Sequence, residues 1–261
     1  MLDALSPQRR RVVLGAAGLA LLLVLVLVVT AVVRSRSGAD GPVPQDQLGP
    51  VLLVPGYGGQ GQSLEPMAAA LRTDGREVVI VAPLGDGTGD LQAQAQHLAE
   101  VARGVLADTG APSVDVVGYS AGGVVARLWV RDHGGAGTVR RVLTLGSPQH
   151  GTSQAALGLE LAGGCPAACE QLVPDSDLLR RLNAGDETPD GPQWATLRST
   201  ADQVVTPVDS ASLDGALNLA VQDYCPDAAT SHGDLPTDSV TYAVLRSVLG
   251  RDAPTVPGVA C

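Results

Sequence analysis

Short runs of unbroken apolar residues recur along this chain at spacings that leave room for one helix each, and they constrain its fold more than any other feature. Val51-Leu52-Leu53-Val54 and Val78-Val79-Ile80-Val81 show no apolar–polar alternation, the pattern of strands covered by helices on both faces. A helix over about 64–72 is expected between them. A second, over about 89–107, puts Leu91, Ala95, Leu98, Ala102 and Val105 on one face. Ser113–Val117, Val139–Leu145 and Trp194–Thr200 read as further strands, and a last helix is expected over about 237–249. The alternation predicts an α/β fold with a mostly parallel central sheet flanked by helices, with its chemistry at the carboxyl ends of the strands. Residues 153–192, rich in Gly, Pro and small side chains, are too many for a simple connection and are expected to form a cap or lid on that edge.

Ahead of this region, residues 12–33 form 22 consecutive positions without a charge, about 33 Å as a helix and enough to cross a bilayer. Arg9, Arg10 and Arg11 precede the run and only Arg34 and Arg36 follow closely, which favours a cytoplasmic N-terminus. The expected organisation is a short cytoplasmic segment (1–11), a transmembrane signal anchor (12–33), a linker (34–49) and one catalytic domain (50–261). That makes a single-pass protein of the cell membrane with its folded part extracellular. The alternative is a secreted protein, cleaved near Ser37-Gly38-Ala39.

Residues 38–261 carry 12 arginines against 26 acids, a formal net charge of −14; such a surface repels nucleic acid. Lysine and phenylalanine are absent, a compositional bias that says little about chemistry. The four cysteines, Cys165, Cys169, Cys225 and Cys261, all lie on the side expected to be oxidising, where disulfides persist. Three pairings are possible. Cys165 with Cys169 and Cys225 with Cys261 is favoured, because it staples a loop and pins the chain end; a zinc site would need other Cys and His spacings.

Within the expected sheet, Gly118-Tyr119-Ser120-Ala121-Gly122 falls between an apolar strand and a run, Gly123 to Val130, with helical apolar spacing. A serine on so sharp a strand-to-helix turn is held out from the sheet edge, and the flanking glycines avoid a collision with the opposite arm of the turn. Chance alone would give such a pentapeptide about 0.2 times in a chain of this composition, so its context carries the weight.

A serine attacks only if a base takes its proton. Among four histidines, His97 falls on the flank of a helix and His133 ends the helix after the elbow, and both read as structural; His150, in a loop after a strand, reads as a hydrogen-bonding loop residue, with lining of the pocket as the alternative. His232, in Thr230-Ser231-His232-Gly233-Asp234, lies on a turn-rich loop before the last helix, where this architecture returns a base to the nucleophile. The imidazole needs a carboxylate partner. Asp202 is favoured because it sits just past an expected strand end. Asp175, Asp177, Asp186 and Asp190 fall in the cap segment, and Asp209, Asp214 and Asp223 are weaker candidates. A second oxyanion donor is expected from Val54-Pro55-Gly56-Tyr57-Gly58-Gly59: the amide of Tyr57, partnering that of Ala121. A phosphate loop is the rival reading of those glycines, but no Lys-Ser/Thr follows them.

With these residues in place the chain resembles the α/β-hydrolase superfamily, and within it small bacterial class 2 lipases and actinobacterial extracellular esterases. The likeness runs over about 50–250 and rests on VLLVPGYGG, PLGDGTGDL, VVGYSAGG, LGSPQHGT, STADQVVTP, LDGALN and SHGDLPTD. It implies a triad of Ser120, Asp202 and His232, with Tyr57 and Ala121 as oxyanion donors; no cofactor is expected, and no residue is assigned as a metal ligand. One departure is Pro55-Gly56 where many relatives carry His-Gly. The expectation is a serine hydrolase cleaving carboxylic esters of lipid-like or apolar acyl groups. Two alternatives are acyl transfer from the same serine to an alcohol and an inactive scaffold serving as a surface binding module.

Overall fold

The computed structural model describes residues 43–256 except 60, together with 258, 261 and, in the N-terminal segment, 8, 18 and 22–24. Two compact units divide at Pro42 and Val43. In the first, the few described residues are helical, and Leu22, Leu23 and Val24 are exposed. The expected membrane span over 12–33 lies for the most part outside the described residues; among those described, no helix is long and apolar enough to cross a membrane.

The second unit is built on six strands, β1 (Val51–Val54), β2 (Val78–Ile80), β3 (Val114–Tyr119), β4 (Val139–Leu145), β5 (Gln193–Arg198) and β6 (Leu217–Ala220), in the order β2-β1-β3-β4-β5-β6. Every neighbouring pair is parallel, as crossover helices require. The helices are α1 (Glu65–Thr73), α2 (Leu91–Thr109), α3 (Ala121–Asp132), α4 (Ser153–Ala162), α5 (Ala167–Gln171), α6 (Asp177–Leu182) and α7 (Ser239–Val248). Along each strand the side chains alternate between two apolar layers. Leu52, Val54, Val116 and Val142 join a cluster with α2 and α3, whereas Val51, Leu53, Val117 and Leu143 join one with α1 and α7. Two apolar faces explain why the runs show no polar alternation.

The sequence-expected strands and helices are found with small shifts at their ends. The strand expected through Thr200 stops at Arg198, because the Ser199 hydroxyl turns away to donate to Thr230 O at 2.6 Å. Strand β6 was not among the expected strands: it is four residues long and carries Asn218, whose amide is held by Thr196, Leu213 and Ala216. The stretch 153–192 resolves into α4, α5 and α6, with Cys165 bonded to Cys169; Cys225 is bonded to Cys261.

The cap segment is tied to the helix that follows the elbow. Arg127 on α3 is fully buried, donating to Glu187 O, Gln149 Oε1 and Asn183 Oδ1 at 2.9–3.1 Å, and Arg131 reaches the carbonyls of Leu182 and Ala184. Burial lowers the Arg127 guanidinium to about 10, so it stays charged at neutral pH. A second buried charge group holds the C-terminal end of α7. Asp115 accepts from Arg140 and Arg76 at 2.6–2.8 Å, and these arginines, with Arg141, donate to the carbonyls of Val248, Leu249 and Gly250. Positive charge belongs at a helix C-terminus, where carbonyls lack helical partners.

Candidate active site

Strand register gathers the expected residues on one edge. Val54 pairs with Gly118, Tyr119 with Leu145 and Leu145 with Leu197, so the loops after β1, β3, β4 and β5 leave the sheet side by side. Ser120, directly after β3, has φ 53° and ψ −127°, a left-handed conformation that costs about 1–3 kcal/mol for a residue with a Cβ. Its amide donates to Leu145 O at 2.9 Å, fixing the turn to β4. The flanking glycines are both required, for different reasons. A Cβ on Gly118 would stand 2.5 Å from Gly123 Cα, across the turn; one on Gly122 would stand 2.2 Å from Val54 O. The obstruction at 122 is therefore the end of β1 and not, as expected, the opposite arm of the elbow.

Asp202 and His232, thirty residues apart, meet with Nδ1 at 2.7 Å from Oδ2, the histidine mostly and the aspartate almost fully buried. The other carboxylate oxygen accepts the amides of Val204 and Val205 at 2.8 and 2.9 Å. With Oδ1 occupied by two backbone donors, Oδ2 is the oxygen presented to the ring. The proton on that contact belongs to Nδ1, because the carboxylate has none to give, which leaves Nε2 as an acceptor. Upstream the two loops are already joined through Ser199 and Thr230. The Ser120 hydroxyl makes no hydrogen bond among the described residues, a looseness usual for a nucleophile before substrate arrives.

Tyr119, beside the serine in sequence, reaches the same histidine. Its hydroxyl donates to His232 O at 3.1 Å and its ring centroid lies 5.2 Å from that of the imidazole. Burial, and then the negative charges of Asp202 and Asp234, push its phenol up to about 12, so it remains a donor. Nothing in the sequence pointed to this residue, since the contact spans 113 positions.

The loop after β1 runs alongside the elbow: a Cβ on Gly56 would come 2.9 Å from Ser120 Cβ. The amides of Tyr57 and Ala121 have no protein acceptor among the described residues. Ala121 opens α3, so its amide also carries the helix's positive end.

The remaining candidates have other partners. His97 is half-buried and bonded to Ala82 O at 3.1 Å, more than a solvated flank position. His133 caps α3 and meets Gln92 at 2.8 Å, and His150 pairs with Glu187 at 2.7 Å. Asp209 faces Arg198, Asp177 faces Arg180, and Asp223 accepts Ala220 N. All four cysteines are in disulfides and offer no thiolate to a metal.

The fold is shared with solved lipases. Aspergillus fumigatus lipase B superposes with a TM-score of 0.69 at 20% identity, over 79% of this chain and 54% of that one. This chain thus spans about half of that lipase's length. The mature form of the Bacillus licheniformis lipase BlEst2 gives a TM-score of 0.64 at 20% identity, over 80% and 94%. These neighbours establish an α/β-hydrolase fold. The sequence goes further: residues 50–183, which hold the loop after β1, the elbow and the cap helices, match the model of the palmitoyl protein thioesterases, and the chain belongs to that family.

Proposed function

We propose that this protein is a serine hydrolase that cleaves carboxylic esters of lipid-like or otherwise apolar acyl groups through an acyl-enzyme. The observation that carries this reading is the Asp202–His232 pair, joined at 2.7 Å on the same strand-end edge as the elbow serine. Ser120 Oγ attacks the acyl carbon while His232 Nε2 takes its proton. The carbonyl π pair moves onto oxygen, and the amides of Tyr57 and Ala121 receive that charge. Collapse breaks the bond to the leaving alkoxide, which takes the proton from Nε2. Water repeats the sequence in reverse roles, releasing the carboxylic acid and restoring the serine. Asp202 stays ionised, orients the ring and offsets the imidazolium. Ser120→Ala is expected to abolish hydrolysis and labelling by a fluorophosphonate; ester hydrolysis surviving at the wild-type rate overturns the reading.

The family's description favours a second reading of the same machinery, cleavage of acyl thioesters. A thiolate is a better leaving group than an alkoxide, so general-acid help matters less for it. Rates on an ester and a thioester of one acyl chain separate the two. The 22 charge-free residues of 12–33 and the disulfides of the folded unit support a membrane anchor with that unit outside the cell. Resistance of the full-length protein to alkaline carbonate extraction tests the anchor, and release by carbonate overturns it.

A further inference from the structure

Against the loop that carries Tyr57 lies a partly open pocket of about 30 Å³, bordered by Gly56, Pro83, Gly87, Gln94, His97 and Ala121 among others. Close packing therefore does not stiffen the oxyanion loop all along this side. Polar pins do so instead. The Gln94 amide closes a two-bond ring with the backbone of one residue: Oε1 accepts Leu84 N at 2.9 Å and Nε2 donates to Leu84 O at 2.9 Å. One turn on along α2, His97 Nε2 meets Ala82 O at 3.1 Å. The loop so held, residues 82–88, then supports the oxyanion loop: Gly87 O accepts Gly58 N at 3.2 Å, and Gly59 packs against the Pro83 ring.

On these contacts we infer that Gln94 is a positioning residue for hydrolysis, fixing through Leu84, Gly87 and Gly58 the direction in which the Tyr57 amide points. The inference rests on the reading of Tyr57 as an oxyanion donor. Gln94 itself touches no reacting atom. Its side chain is suited to the task because only a carboxamide offers a donor and an acceptor in one plane to match a peptide N–H and C=O. A donor that swings by an ångström loses most of its stabilisation of the tetrahedral oxygen, whereas a ground-state carbonyl, which it holds weakly, is little affected. The same loop also meets the stapled cap helix, since Ala168 N donates to Thr88 O at 3.1 Å and Gln171 bonds both Asp90 and Leu91. Gln94 thus stands where the cap and the oxyanion loop share one support.

The test compares Gln94→Leu, which removes both bonds at similar volume, and Gln94→Glu, which keeps only the acceptor, with the wild type and with Ser120→Ala. Gln94→Leu is expected to lower kcat on a nitrophenyl ester about 10- to 100-fold while leaving KM within about twofold. Affinity for an aryl trifluoromethyl ketone, whose adduct places an oxyanion at the amides, should fall by the same factor. Gln94→Glu should lie between. Fluorophosphonate titration should count the same fraction of reactive serine, which a merely structural defect would lower. Should Gln94→Leu prove too unstable to purify, Gln94→Glu carries the test alone. Unchanged kcat and ketone affinity in either variant overturns the role of Gln94 while leaving the triad reading intact; hydrolysis by Ser120→Ala at the wild-type rate overturns that reading instead.

Discussion

Tyr119 grips His232 twice, by its hydroxyl on the backbone carbonyl at 3.1 Å and by its ring on the imidazole at a centroid separation of 5.2 Å. Because Tyr119 is the residue before Ser120, the strand end that presents the nucleophile also steadies the base. Tyr119→Phe keeps the ring and loses the hydrogen bond, worth about 1 kcal/mol; kcat/KM should fall about fivefold. Tyr119→Ala loses both contacts and should fall further, with a broader pH profile. Steady-state kinetics on both variants decides; equal activities would assign Tyr119 no part in holding the base.

Asp202→Asn tests the pairing that orients the imidazole. An asparagine can still accept the amides of Val204 and Val205, so folding should be little changed. The carboxamide would, however, present Nδ2 donors to the ring and favour the wrong tautomer. A loss of about 10⁴-fold in kcat is expected, the scale seen when a triad aspartate is so replaced. Thermal unfolding measured alongside should show a midpoint close to wild type.

Gly122→Ala drives a methyl group to 2.2 Å from Val54 O and 2.6 Å from Pro55 O. Neither carbonyl can retreat without moving the end of β1, so the expected cost is about 1–3 kcal/mol of stability, together with a fall in kcat as the Tyr57 amide is displaced. Denaturant titration and kinetics on the purified variant check both. A variant with native stability and rate would show that the elbow can yield where it meets β1.

Glu187 supplies a pH-dependent tie for the cap. Burial acts to raise its carboxyl, but hydrogen bonds from Asp214 N and His150, with the charges of His150 and Arg127, outweigh it and hold the group below its ordinary value. A depressed folded value means stabilisation that is present above the unfolded carboxylate range, about 4.3, and lost as pH falls through the folded value. Trp194 donates its indole N–H to Pro189 O at 3.1 Å, close enough along the chain to report on this region. Its fluorescence should change as pH falls below the unfolded carboxylate range, and Glu187→Gln should remove that transition.

Asp115 is the one carboxylate bonded to both Arg76 and Arg140 in the buried charge group. Asp115→Asn leaves two guanidinium groups without their counter-charge, and a broken buried pair costs about 3–5 kcal/mol. Calorimetry should show a large drop in Tm, while the surviving folded fraction keeps its kcat, since this group lies at the amino end of β3.

Much of this architecture is legible in the sequence because parallel strands buried on both faces have a simple signature. Val51–Val54 and Val139–Leu145 announce themselves by unbroken burial, and the elbow by its glycines. Asp202 and His232 are singled out by chain order and by their positions after a strand and before a helix, and the structure brings their side chains to 2.7 Å. What escaped was of two kinds. Strand β6 is too short, and too interrupted by Asn218, to stand out. Tyr119, Gln94 and Arg127 act through partners 113, 10 and 60 residues away, and no local pattern encodes a contact whose other half is set by the packing of a distant element.

The hydrogen-bonded pairing of Val54 with Gly118 joins the strand that leads to Tyr57 with the strand that leads to Ser120, so these two move as one body. Asp202 and His232, bonded to each other and cross-tied through Ser199 and Thr230, are joined to that body by the Tyr119 hydroxyl on His232 O. Ser120, His232 and Asp202 therefore share one braced frame. A substitution that displaces one strand end is thus transmitted to Ser120 and His232 together.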